Sequence, residues 1–179
     1  VGTAVQIETL CTSVSWGSAA GVGIFSVQFF GAKDFTSFKK SFGLSVLLAL
    51  ISGLFWFSVA SFFGKVILQF YISDASVIQN GLAYLNIAKF SYFPLALSFV
   101  FNMTYRNINR PKVPLIIGII AMIMNIVVNY VLIFGLYGFP RMGIQGAAMG
   151  TCIAQMSSLC IHVLYAYQTK QPFIGSFQE

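Results

Sequence analysis

The chain has 179 residues, of which 58% are hydrophobic and only 8% are charged, and its formal net charge is +6. Soluble domains carry about a quarter charged residues, so this composition excludes an ordinary soluble protein. Most of the basic residues lie in links between long apolar runs and form no basic face, so the positive charge does not indicate nucleic-acid binding.

The long uncharged runs predict an all-α, polytopic membrane protein with five transmembrane helices. A helix of about 20 residues spans the hydrocarbon core, whereas membrane strands are about 10 residues long and alternate strictly. The sequence has long runs joined by short links and no such alternation. The predicted spans lie near residues 5–31, 41–64, 75–105, 113–138 and 142–169.

The first span is rich in small residues. Gly17 and Gly21 form a G-x-x-x-G pair, a pattern that allows close helix approach in lipid. Glu8 lies near the start of the span and is the only acid in or near any span. A position at the membrane interface and a contact with an ion or substrate both remain open for Glu8, since acids inside membranes are commonly functional. Because the chain begins with Val1 and ends abruptly at residues 176–179, we expect an interior piece of a longer protein.

The second span follows Lys39 and Lys40, is rich in Leu, Val and Phe, and is predicted to be structural and mainly lipid-facing. The third carries Lys89 about midway and Pro94 five residues later. A lysine in the span costs roughly 2.5–3.5 kcal/mol to insert, so it should face a polar cavity or a helix contact, or else extend its ammonium to the interface. The proline frees a backbone carbonyl and can bend the helix.

The fourth span contains Asn125 and Asn129, which share one helix face because they are four residues apart. Two interpretations remain open for this face: hydrogen bonds between helices, and the lining of a polar cavity. The fifth span begins with a small face that is predicted to pack tightly on a neighbour, formed by Gly143, Gly146, Ala147 and Gly150. His162, later in the same span, is more typical of a packing or interface residue than of a proton relay.

The links predict the orientation. Counting Lys and Arg alone, the links at 32–40 and 106–112 together with Lys170 carry seven, and the opposite links carry Lys65 and Arg141. The positive-inside rule places the side with more charge in the cytoplasm. Links rich and poor in Lys and Arg alternate along the whole chain, which supports five spans over four or six.

Several stretches, in order, resemble the multidrug and toxic compound extrusion (MATE) transporters, specifically their amino-terminal half. Val27–Asp34 looks like the end of the family's second helix, and Asn125–Gly135 is close to its fifth. The remaining similar stretches are Tyr84 through Pro94 to Arg106, the turn Arg110–Pro114, and Met142–Ala148.

The resemblance implies that residues 1–179 are a partial amino-terminal bundle, helices two to six of a twelve-helix protein, with no complete second bundle. It further implies a plasma-membrane transporter, not an enzyme, that exports organic, often cationic, compounds by antiport with H⁺ or Na⁺ and needs no cofactor. The partners implied are small-molecule substrates, the lipid bilayer, and a first helix and carboxy-terminal half of the same protein. The candidates for cavity or ion-coupling residues are Asn125, Asn129, Lys89, Glu8, Tyr92 and Thr151.

Asn129 departs from the family pattern, because many members carry an acid at that position. An amide cannot exchange a proton near neutral pH, so a proton relay through Asn129 is excluded. Coordination of Na⁺ by the side-chain oxygens of Asn125 and Asn129 remains open, since hard cations favour oxygen ligands. Coupling through Glu8, or through parts of the protein beyond this chain, is equally compatible with the sequence.

Two other functions compete with drug export. A lipid-linked oligosaccharide flippase of related architecture would need a strongly cationic cavity, and only Lys89 is available in the spans. A non-transport membrane protein, such as an intramembrane enzyme, would need a nucleophile and base or clustered His and acids. One His and one acid near the spans do not form a catalytic set.

Overall fold

The computed structural model describes residues 2–71 and 73–173, and these residues form helices and turns without strands. The side chains of residues 2–5 and 7 are outside the description, as are Val1 and residues 174–179. The sequence features from which we expected a longer protein, Val1 and residues 176–179, therefore lie outside the described residues.

Five helical segments are long and apolar enough to cross a membrane, which confirms the predicted fold class. Two of the five consist of helices joined by an irregular turn. In chain order the elements are α1 (Gly2–Gly31), α2 (Phe35–Ser58), a π-helical turn (Val59–Phe63), α3 (Gly64–Tyr71), α4 (Ala75–Ala88), a 3₁₀ turn (Lys89–Ser91), α5 (Tyr92–Asn107), α6 (Lys112–Phe134) and α7 (Ile144–Gln168).

The second segment, Phe35–Tyr71, is longer than the predicted 41–64 at both ends. It begins earlier because Asp34 caps α2, its carboxylate accepting a hydrogen bond from the Ser37 backbone N–H at 3.0 Å. It ends later because Lys65 is exposed on the side of the helix and does not stop it. Asp74 caps α4 in the same way. Hydrogen bonds from Ser37 lower the pKa of the Asp34 carboxyl group, and hydrogen bonds from Ser76 lower that of Asp74.

The third segment changes helix type at Lys89–Ser91, just before Pro94. The proline has no N–H to donate to the carbonyl of Phe90, four residues earlier, so the regular ladder is interrupted where the sequence predicted a disturbance. The fourth segment ends at Phe134, four residues before the predicted end. Gly135 closes it in the left-handed conformation, with φ of 71°, and its N–H donates to the Val131 carbonyl at 2.9 Å.

The helices pack around two main apolar clusters. One joins α1, α3, α4, α5 and α7 through buried residues that include Cys11, Leu68, Leu85 and Tyr92. The other includes Phe38, Tyr105, Ile108, Ala166 and Phe173. Phe38 lies near the start of α2, Ile108 follows the end of α5 and Phe173 follows the end of α7. The second cluster therefore joins one end of each of these three helices.

Serines, and not the Gly17–Gly21 pair, join α1 to α2. The hydroxyls of Ser26 and Ser41 are 2.7 Å apart. Those of Ser15 and Ser52 are 3.3 Å apart. A Cβ placed on either glycine would have open space around it, so this pair makes no close helix contact within the described residues.

The small face of α7 does pack closely, as predicted, on α6. A Cβ on Gly146 would lie 2.8 Å from the carbonyl carbon and oxygen of Leu132, and a Cβ on Gly150 would overlap the Asn129 side chain. Gly143 is the exception, since open space surrounds it. It is the residue before α7 and has a φ of 53°, a conformation that favours glycine.

Candidate functional site

A cavity of about 460 Å³ lies between α1, α5, α6 and α7. Its polar lining residues come from all four helices: Glu8 from α1, Ser98 and Asn102 from α5, Asn125 from α6, and Thr151, Gln155 and Ser158 from α7. Leu95, Phe99, Gly118, Ala121, Met122 and Ala154 supply the apolar part of the wall.

Helical spacing explains how the lining is assembled. Ser98 and Asn102 are one turn apart on α5, and Thr151, Gln155 and Ser158 follow one face of α7. On α6 the same face carries Gly118, Ala121 and Asn125. Because each helix presents a single stripe, the three stripes meet in one polar region while the opposite faces stay apolar.

Three of the six sequence-predicted candidates line this cavity: Glu8, Asn125 and Thr151. Of the four acidic residues in the sequence, Asp34 and Asp74 lie in links and Glu179 is outside the described residues. Glu8 is therefore the single acid in the described lining. It lies at the edge of the first membrane segment and is only partly exposed.

The two asparagines bond to each other along α6. The side-chain N–H of Asn129 donates to Oδ1 of Asn125 at 3.0 Å. Asn129 lies against Gly150 of α7, one turn beyond the cavity wall, and its own Oδ1 is buried with no hydrogen-bond partner in the described part of the chain. Asn125 thus faces the cavity. Asn129 lies outside the cavity lining and orients the Asn125 side-chain amide through this hydrogen bond.

Lys89 does not line the cavity. Its Nζ lies 3.4 Å from Oδ1 of Asn86, 5.4 Å from the ring centre of Phe57 and 5.9 Å from that of Phe90. The ammonium thus lies between α2 and the 3₁₀ turn, apart from the cavity lining. Aromatic faces attract such a cation.

Tyr92 also lies apart from the cavity lining. It is fully buried in the first apolar cluster, and its hydroxyl has no hydrogen-bond partner among the described residues.

Sequence reasoning missed Ser98, Asn102, Gln155 and Ser158. Asn102 donates through Nδ2 to the Ser98 carbonyl at 2.8 Å, and the same nitrogen is 3.3 Å from Nε2 of His162. His162 is buried behind the wall, stacked on Phe101 at 5.8 Å between ring centres, consistent with the packing role expected for it. The signal that could have found this set is the spacing of polar residues by three or four along α5 and α7.

These features define a class: a multi-pass helical membrane protein with a polar cavity between its helices. The described lining of that cavity carries one carboxylate. The MatE family model matches residues 1–131, and the chain belongs to that family. The membership confirms the predicted recognition. Because the family comprises transporters, it also confirms that the chain is not an enzyme.

Several curated relatives are similar over most of this chain. A probable multidrug resistance protein, YoeA, from Bacillus subtilis (strain 168) is 27% identical over 91% of the chain and 35% of its own length. A probable multidrug resistance protein, NorM, from Agrobacterium fabrum (strain C58) is 31% identical over 87% of the chain and 34% of its own length. The chain therefore spans about a third of the length of these relatives.

A solved structure has the same fold. The crystal structure of MATE in the bent conformation superposes with a TM-score of 0.79, covering 96% of this chain and 38% of that one, at 18% sequence identity.

Proposed function

We propose that the protein containing this chain exports organic, often cationic, compounds across the plasma membrane by antiport with H⁺ or Na⁺. Membership of the MatE family and the printed names of the relatives, probable multidrug resistance proteins, support this function. The cavity between α1, α5, α6 and α7 is the part of the transport pathway that this chain lines. Transporters of this kind bind substrate and ion near the bilayer midplane and move by rocking of helix bundles around the site.

The observation that carries the proposal is the charge pattern of the cavity lining. Its charged member is the acid Glu8, and around it stand hydroxyls and amides that offer oxygen atoms to a cation. In a low-dielectric setting a carboxylate strongly favours a cationic partner, either an organic substrate or the coupling ion. The lysine Lys89 lies outside the lining, which disfavours a flippase that holds pyrophosphate.

The coupling ion has two candidate sites. Glu8 is the lining group that can exchange a proton. The amide oxygens of Asn125 and Asn129 can coordinate Na⁺, and the unpartnered Oδ1 of Asn129 supports this alternative because it has an unused acceptor.

The proposed orientation places the links at 32–40 and 106–112 in the cytoplasm. The charge count supports it through the positive-inside rule. The shared cluster of Phe38, Ile108 and Phe173 supports it further, since the three basic links then lie at one end of the bundle.

Dye efflux from proteoliposomes tests the proposal. The full-length protein should export a cationic dye when a Na⁺ or proton gradient is imposed, and Glu8→Gln should remove the part driven by protons. Asn129→Ala should remove the part driven by Na⁺, because it removes the unpartnered Oδ1 of Asn129 that is proposed to coordinate this ion. Asn80→Ala, an exposed asparagine on α4, is the matched control. If both site variants keep wild-type efflux under both gradients, this cavity is not the coupling site; if the wild-type protein moves no dye under either gradient, the proposed function is wrong.

A further inference from the structure

A second depression lies on the outer surface of the α1–α2 pair, away from the polar cavity. It is a groove of about 380 Å³ between the last third of α1 and the first turns of α2. Its floor and sides are Gly21, Phe25, Phe29 and Leu44, and Ser37 and Lys40 stand in its wall near the start of α2. The groove shares no lining residue with the cavity described above.

The lining residues of the groove follow the length of α1. Gly21 and Phe29 are eight helical residues apart, so the groove runs about 12 Å along α1. Gly21 leaves open space where a side chain would stand, which deepens the far end. Ser41 also lines the groove, and its hydroxyl lies 2.7 Å from that of Ser26, a hydrogen bond that joins the two helices there.

One end of the groove is basic. Lys40 of α2 lines it; Lys39 is its neighbour on α2, and Lys33 lies in the link between α1 and α2. The neighbouring acid, Asp34, caps α2 by accepting from the Ser37 backbone N–H, and its negative charge also interacts with Lys40. Residues 33–40 carry three lysines and one acid, so this end of the groove keeps a net positive charge next to its apolar part.

We propose that this groove binds an acidic phospholipid. The phosphate lies at the Lys40 ammonium, and one acyl chain lies along Phe25 and Leu44 towards Gly21. The apolar lining of the groove favours a hydrocarbon chain. Lys40 makes the site selective, since each basic residue near a membrane surface favours anionic lipid. The inference rests on the chain spanning the bilayer and does not depend on the exported compound or the coupling ion.

Native mass spectrometry of the purified protein, released from a neutral detergent, tests the site. Phosphatidylglycerol and phosphatidylcholine with identical acyl chains are the two probes. We expect phosphatidylglycerol to be retained preferentially. Lys40→Gln should lower that preference by about fivefold, the effect of one basic residue near the surface. Lys65→Gln, an exposed lysine on α3, is the control and should leave it unchanged.

A second pair of variants tests the apolar part of the groove. Gly21→Leu fills the deep end and should reduce binding of both lipids, whereas Gly43→Leu, at another helical glycine with open space around it, should not. Equal retention of the two lipids by the wild-type protein, or unchanged preference in Lys40→Gln, would overturn the proposal. So would unchanged binding in Gly21→Leu, which would mean that another part of the full-length protein fills the groove.

Discussion

At the residue scale, the contact between Asn129 and Gly150 determines how Asn125 is oriented in the cavity wall. The amide of Asn129 holds Oδ1 of Asn125, and the space for that amide exists because position 150 has no Cβ. The sequence predicted that both asparagines share an inward face. It could not predict that they bond to each other, because an amide on a membrane helix can equally bond across to a neighbour.

Gly150→Ala should impair transport while the fold is retained. The added methyl displaces the Asn129 amide and breaks its hydrogen bond to Asn125, which is worth about 1 kcal/mol, so we expect about a fivefold fall in gradient-driven efflux. The measurement is dye efflux together with the melting temperature in detergent. Wild-type efflux in this variant would show that the orientation of Asn129 does not matter for transport.

At the element scale, backbone contact between α6 and α7 sets the position of half of the cavity wall. Gly146 lies directly against the backbone of Leu132, and Gly150 lies one turn further along the same face. The G-x-x-x-G pattern of α1 looks alike in sequence, but the structure leaves it open. Pattern alone does not say which helix lies opposite, since small residues serve equally well at a helix contact and at a groove.

Gly146→Ala should destabilise the protein. The methyl meets carbonyl atoms of Leu132, which cannot rotate away as a side chain can, so the two helices must separate at a cost of about 1–3 kcal/mol. Thermal unfolding in detergent measures the effect. Gly43→Ala is the control: open space surrounds it, and the better helix propensity of alanine should leave stability unchanged or raise it by about 0.5–1 kcal/mol. Equal melting temperatures for the two variants would contradict the close contact.

At the scale of the whole molecule, the described residues form five segments long enough to cross a membrane, with three basic links at one end. The relative YoeA and the solved structure match 91% and 96% of the chain, whereas the chain covers only 35% and 38% of their lengths. The polar cavity lies between four helices that belong to four of these segments.

Labelling of single introduced cysteines tests the orientation. Thr36→Cys lies in the basic end of the bundle and Ser73→Cys in the opposite link, and both side chains are exposed. In intact cells a membrane-impermeant maleimide should label Ser73→Cys, and should label Thr36→Cys only after permeabilisation. The wild-type protein is the control, because its own cysteines lie within the membrane segments. The reverse labelling pattern would show that the basic links face outward.

The sequence by itself determined the class, the number of membrane segments and the inward face of the asparagines, because hydrophobic length, charge placement and helical period are local properties of the chain. Only the tertiary structure decided that Glu8, Asn102, Asn125 and Gln155 meet in one cavity and that Lys89 and Tyr92 do not. It also decided that Gly150 packs on α6 whereas Gly21 lies at an open groove. Which faces of different helices meet depends on long-range packing, and no local pattern in a single chain encodes that pairing.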